Sequence, residues 1–357
     1  MRNNDSNLDF LRACAVLCVA GSHLMDVQLG EHTSFSWHLG QMGVLAFFVH
    51  TSLVLMRSLE RMRPTAHGMV TSFYIRRFFR IYPLSMLCVL AIYWLHLPPH
   101  PLSAVRPWTG VELISSLGLI QNLTYAAPLA SVLWSLPIEV DMYVLLPFFY
   151  LLLRRRSPWA ALACWAASVP AALAQPQVSG RLDVIGYAPC FLAGISAWRL
   201  SARYRPRLAA AWWPVTMLAV SPLWMASSRQ DNMFYRWAFC LALGLAIPCF
   251  KEIASKPVNT ASKLIARYSY GIYLTHCSAM WIAFRACARV PALLQWMLFA
   301  ILAAGAPVLL YHAVENPMIR VGSSLTAIRW RRLLTFVSSA AFHSSATRKA
   351  DASNELT

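Results

Sequence analysis

Apolar residues recur along this chain in blocks of roughly 16 to 22, the length an α-helix needs to cross about 30 Å of hydrocarbon. In order they cover about 10–29, 39–57, 78–97, 134–153, 159–174, 184–200, 210–226, 235–250, 268–287 and 292–313. A further block, about 113–129, carries Gln121 and Asn122 in its middle and Pro128 near its end. The pattern predicts an all-α polytopic integral membrane protein.

The basic residues between the blocks set the count and the orientation. With the N-terminus inside and 113–129 not crossing, 24 Lys and Arg residues fall on the inner side and 6 on the outer, as the positive-inside rule requires. If 113–129 crossed, Arg154, Arg155, Arg156 and every later basic cluster would change sides. The expectation is ten transmembrane helices, a cytoplasmic N-terminus and C-terminus, and a lateral or re-entrant 113–129. Asp9 and Arg12 interrupt the first block and no small-residue cleavage site follows it, so no cleavable signal is expected. Residues 321–357 are expected to form a cytoplasmic tail, largely disordered, because from about 338 the chain is rich in Ser and Ala with mixed charges. The chain shows no internal repeat, which weakens a transporter built on inverted halves.

Composition agrees with the pattern. Of 357 residues, 58% are hydrophobic and 13% charged, about half the charge of a soluble domain, and mean hydropathy is +0.50. A soluble enzyme and a disordered regulator are both excluded. The net charge of +17 does not imply a nucleic-acid partner, because the charges sit in short clusters between apolar blocks rather than on one face. All nine cysteines lie in or beside apolar blocks without metal-ligand or redox spacing, and read as small hydrophobes.

Ionisable groups inside spans are costly and mark candidate function. Arg12 and His23 stand eleven residues apart on the first span, which puts them on one face and about 16 Å apart along the axis. Arg12 then lies near the cytoplasmic end and His23 past the midplane, pointing to a shared cavity. Arg12 alone would also suit snorkelling to headgroups, and a lone histidine would suit a packing hydrogen bond. Asp26, one turn beyond His23, is placed to fix its tautomer. Arg76, Arg77 and Arg80 open the third span at its inner end. Arg77 and Arg80 are neighbours on one face, a pairing suited to phosphate oxygens or, equally, to orientation charge and lipid headgroups. On the fourth span, Ser135 and Glu139 face one way and Asp141 nearly the opposite way. Glu139 is expected about 8 Å below the outer end, the depth expected of His23. His276 sits near mid-membrane, where it could line the same cavity or serve packing. Glu315 reads as a turn or a salt bridge to Arg320. His50, His96 and His312 show no partner by spacing.

Taken together these residues resemble the acyltransferase family 3 membrane proteins, which O-acylate sugars and other hydroxyl acceptors. The matching pieces are Asp9-x-x-Arg12 with ten residues before His23, Arg77-x-x-Arg80-Ile-Tyr82-Pro83, Trp134-Ser135-x-x-x-Glu139 with Tyr143 and Pro147, Ser269-Tyr-Gly-Ile-Tyr-Leu-Thr-His276, and Glu315-Asn-Pro317. They stand in the family's order over residues 7–320. The resemblance implies a transmembrane acyltransferase domain over 1–320 with a ten-helix core and an acyl-CoA donor entering from the cytoplasm. It also implies a catalytic histidine matched by His23, and donor-serving arginines matched by Arg12, Arg77 and Arg80. Between Gly43 and Leu53 the chain departs from the family pattern, lacking the acid before the paired Phe47-Phe48 and the Ser-Gly-Phe turn after it. That departure leaves the acceptor open.

The expected scheme follows from both readings. Acyl-CoA, acetyl-CoA by expectation, docks its phosphates on Arg12, Arg76, Arg77 and Arg80. Its thioester reaches His23, which acts as general base or carries the acyl group. Glu139 orients His23 or shares its proton, and Asp26, Ser135, Tyr82 and His276 support the site. No metal and no cofactor beyond the acyl-CoA co-substrate are expected, and no nucleic acid. The expected partners are membrane lipid and a glycan or other hydroxyl acceptor at a bacterial inner membrane, unless the acyl group is handed to a separate extracytoplasmic protein. The rival is an ion-coupled transporter or flippase using Arg12, His23 and Glu139. A lipid-linked glycosyltransferase would need acidic metal ligands, for which Glu31, His32 and His38 are a poor set.

Overall fold

A computed structural model describes residues 6–62, 66–179, 183–217, 221 and 233–327. The helices are α1 (Ser6–Leu29), α2 (Ser34–Arg61), α3 (Ala66–Trp94), α4 (Gly110–Gly118), α5 (Gln121–Thr124), α6 (Ser135–Leu153), α7 (Pro158–Val178), α8 (Asp183–Arg203), α9 (Met233–Ala246), α10 (Lys256–Met280) and α11 (Ala292–Leu310). A further helical stretch runs from 212 to 217. Among the described residues there is no strand, only an isolated bridge between Leu208 and Phe250. Among the described residues four helices are long and apolar enough to cross a membrane: α1, α2, the helix through 131–153, and 292–327. Most of the expected span at 210–226 and the tail beyond 327 lie outside the described residues.

The block 113–129 is not one helix. It holds the last six residues of the nine-residue α4 and the four of α5, and nine residues rise only about 14 Å. Its polar centre has a local cause, since Asn122 Nδ2 donates to Asp141 Oδ2 at 2.6 Å and ties α5 to α6. The final helix runs through a π-helical turn, Tyr311–Glu315, to residue 327.

Burial separates the centre from the rim. Of the most apolar stretch of α2, 72% is buried; of the 292–327 helix, 6%. Leu293, Ile301 and Leu309 are each about two-thirds exposed, a surface that suits hydrocarbon rather than water. Close approach of backbones builds the centre, where α1 and α10 pack together and α2 packs on α1 and α8. A Cβ on Gly43 would stand 2.6 Å from the Ala15 carbonyl, and one on Gly194 would stand 2.2 Å from the Val49 carbonyl. Small residues are what bring membrane helices this near.

The α1–α2 turn is tightly specified. Gly30, at φ +77°, sends its N–H back to the Asp26 carbonyl at 2.9 Å and ends α1 in the left-handed conformation that glycine adopts without strain. Thr33 then caps α2 in a reciprocal box with Ser36. Ser36 Oγ also donates to Asp26 Oδ1, so one turn fixes both helix ends and the carboxylate between them.

Candidate active site

Two cavities lie in the centre of the bundle. The one toward the N-terminal end of α1, named the inner cavity for that end, is about 90 Å³ and is lined by Arg12, Arg77, Arg80, Glu139, Tyr143 and His50 among others. The one toward the C-terminal end of α1, named the outer cavity, is about 440 Å³ and is lined by His23, Asp26, His32, His100, Trp37 and Trp134 among others. Val44 and Tyr273 line both. Arg12 and His23 therefore belong to neighbouring cavities on one face of α1, not to the single cavity expected from their spacing.

In the inner cavity each arginine is held differently. Arg12 Nε donates to Ser269 Oγ at 2.6 Å, and its guanidinium lies 5.7 Å from the Phe47 ring centre. Arg80 pairs with Glu315 at 2.6 Å, so the carboxylate reaches α3 rather than Arg320. Arg77 Nε is buried without a hydrogen-bond partner. A buried donor left unpaired costs about 1–3 kcal/mol, so this guanidinium is poised to receive an acceptor atom. Arg76 stands apart. Its Nε donates to Thr326 Oγ1 at 3.2 Å, toward the final helix, and it does not line the cavity.

Glu139 departs from its expected place. It lines the arginine cavity and accepts from Tyr143 Oη; it is not beside His23. The expected depth assumed that the span begins at the membrane's outer edge. Instead a 3-10 turn, Ser131–Trp134, precedes α6. Val132 and Trp134 of that turn line the outer cavity, whereas Ser135 and Glu139 line the inner one. Ser135 Oγ donates to Tyr273 Oη at 2.8 Å, and Tyr273 Oη donates to the Val132 carbonyl at 2.6 Å. Tyr82 lies aside, donating from Oη to the Gly118 carbonyl at 3.2 Å and anchoring α4.

In the outer cavity His23 stands among imidazoles. Its Nδ1 lies 3.0 Å from His100 Nε2, and its ring centre lies 5.3 Å from that of His276. Asp26 does not fix the His23 tautomer as expected, because its Oδ2 is 4.0 Å from His23 Nδ1, beyond hydrogen-bond reach. Asp26 is committed to His32 Nδ1 at 2.8 Å and to Ser36. His276 donates from Nδ1 to the Ile272 carbonyl at 2.9 Å, and its Nε2 is buried without a partner.

His100 was missed by sequence reasoning. It follows two prolines in an irregular loop, where no periodicity assigns a face. Two contacts set it in place: Ser131 N–H donates to the Pro99 carbonyl at 2.7 Å, and Ser103 N–H to the His100 carbonyl at 2.9 Å. The fold also brings together groups that could hold a metal ion. Atoms of His23, His276 and Cys277, and of His23, Asp26 and His100, fall within 4.8 Å of one another. His50, which shows no partner by spacing, lines the inner cavity with Nδ1 unpartnered.

Residues 5–312 match the acyltransferase domain that defines acyltransferase family 3. The chain belongs to that family. Among curated relatives, acyltransferase MdmB of Streptomyces mycarofaciens is 32% identical over 181 residues, spanning 46% of this chain and 44% of that one. The match thus spans less than half the length of that relative. Nodulation protein 10 of Rhizobium leguminosarum bv. viciae is 23% identical over 367 residues, spanning 91% of this chain and 96% of that one. No solved structure matches. The chain is a membrane acyltransferase.

Proposed function

We propose that this acyltransferase spans a bacterial inner membrane ten times with both termini cytoplasmic. It moves an acyl group, acetyl in the first instance, from cytoplasmic acyl-CoA to a hydroxyl of a cell-surface or secreted glycan or a related acceptor. The observation that carries the reading is the pair of cavities, one lined by three arginines and the other by His23, divided by Val44 and Tyr273. Guanidiniums suit the phosphates of the donor, and an imidazole suits proton transfer at the acceptor.

In this scheme Arg12, Arg77 and Arg80 hold donor phosphate, and Glu139 with Glu315 limits the positive charge of the empty cavity. The thioester reaches Tyr273. His23 takes the acceptor's hydroxyl proton, the oxygen attacks the thioester carbonyl carbon, and the carbon–sulfur bond breaks. The CoA thiolate then takes the proton from the imidazolium, leaving an ester and a free thiol.

The test uses inverted membrane vesicles carrying the wild type or His23→Ala, supplied with radiolabelled acetyl-CoA and then longer acyl-CoAs. CoA release and label on a lipid or glycan should appear in the wild type and vanish in a folded His23→Ala protein. Full transfer by that variant would remove His23 from the chemistry. Substrate movement without CoA release would favour the transporter.

A further inference from the structure

The hydrogen bonds around His23 have a direction that can be read from main-chain groups. Leu102 N–H donates to His100 Nδ1 at 3.2 Å. A backbone N–H is only a donor, so His100 Nδ1 carries a lone pair. An accepting ring nitrogen carries no proton, so the ring is neutral and its one proton lies on Nε2. That Nε2 is the atom 3.0 Å from His23 Nδ1. His23 Nδ1 must then accept, and the His23 proton lies on Nε2. His276 is the other ring close to His23. The Ile272 carbonyl is only an acceptor, so His276 carries its proton on Nδ1 and a lone pair on its unpartnered Nε2. A ring nitrogen of His276 lies within 4.8 Å of one of His23.

We propose that His100 is a positioning residue for the transfer: by donating to His23 Nδ1 it fixes His23 as the Nε2–H tautomer and makes Nδ1, the nitrogen on the Asp26 side, the one that takes the acceptor's proton. The inference rests on the proposed role of His23 and adds the nitrogen used and the residue that selects it. The opposite tautomer would need a proton on His100 Nδ1, facing the Leu102 N–H, and would break that contact. The acceptor hydroxyl enters where the two rings now meet. Its proton passes to His23 Nδ1. The resulting imidazolium has the Asp26 carboxylate 4.0 Å from Nδ1. Three imidazoles beside a carboxylate also suggest a metal. A metal on His100 Nε2 would require a proton on Nδ1, where Leu102 N–H already points.

The test is nitrogen NMR on full-length protein with ¹⁵N-labelled histidine in detergent, the His23 signals being assigned by their loss in His23→Gln. In the wild type, His23 Nδ1 should show the shift of an unprotonated ring nitrogen and Nε2 that of a protonated one; the reverse assignment overturns the proposal. His100→Gln, whose amide can still donate to His23, should keep the tautomer and most of the activity. His100→Leu should give a mixture of tautomers and lower kcat by about tenfold or more with donor KM unchanged. An unchanged tautomer in His100→Leu overturns the proposal, as does one equivalent of zinc that copurifies with the wild type and is lost in that variant. If no acyl-CoA supports transfer, the donor reading fails while the nitrogen shifts still decide the tautomer.

Discussion

Arg80 on α3 and Glu315 on the π-turn after α11 meet at 2.6 Å, with the Glu315 side chain fully buried and that of Arg80 26% exposed. The pair is unequal, and the inequality sets what each substitution should do. Removing one partner of a buried pair costs about 3–5 kcal/mol because the other charge is stranded. Arg80→Met strands the fully buried carboxylate and should be the more damaging change. Glu315→Leu strands a guanidinium that still reaches the cavity, and should fall short of that cost. The double variant should recover most of the loss. Melting temperatures of all four proteins in detergent check this, and additive losses would show that the two side chains act independently.

Arg77 should separate affinity from stability. Its unpartnered, buried Nε burdens the empty protein, yet a charge-assisted hydrogen bond to a ligand gains about 1.5–3 kcal/mol. Arg77→Met is expected to raise the apparent melting temperature or leave it unchanged. It should weaken CoA binding by about 10- to 100-fold. Calorimetry with CoA, beside a melting curve, reads both.

His96 ends α3 at φ +51°, in the left-handed region, with Leu97 N–H on the Ile92 carbonyl and His96 N–H on the Tyr93 carbonyl. This helix ending normally carries glycine. His96→Gly is expected to stabilise the protein by about 0.5–1 kcal/mol, visible as a higher melting temperature with transfer unchanged.

Glu112 should give the start of α4 an acid limit. Arg106 is bonded to it at 2.6 Å, and that side-chain bond, with the Thr109 backbone N–H, pulls the carboxylate down to about 2. A depressed carboxylate contributes stability that is complete above its unfolded value, ordinarily near 4.3, and is lost as pH falls toward the folded value. The wild type should therefore exceed Glu112→Gln in melting temperature at pH 7. That gap should shrink between about pH 4.3 and pH 2. A gap that stays constant down to pH 2 would remove Glu112 as its source.

Much of this architecture was legible because it depends on spacing within single helices. Eleven residues put Arg12 and His23 on one face of α1, and the polar centre of 113–129 kept that block from forming one long helix. Rotation and depth of one helix against another were not legible. Glu139 was assigned to His23 by counting from an assumed membrane boundary, yet the 3-10 turn at 131–134 sits beside the outer cavity and puts Glu139 lower, among the arginines. His100 was silent because a loop has no period. Asp26 was assigned by helical spacing to His23, and the capping turn at Thr33 drew it to His32 and Ser36 instead.

Tyr273 is a wall shared by two rooms, and a shared wall has a kinetic signature. Donor and acceptor can each occupy their own side before anything reacts, and neither must leave to admit the other. Initial rates measured against one substrate at several fixed levels of the other should give reciprocal plots that intersect. Enlarging the opening with Tyr273→Ala should admit bulkier acyl groups while the lines still cross. Parallel lines would mean that the acyl group waits on the protein between two separate visits.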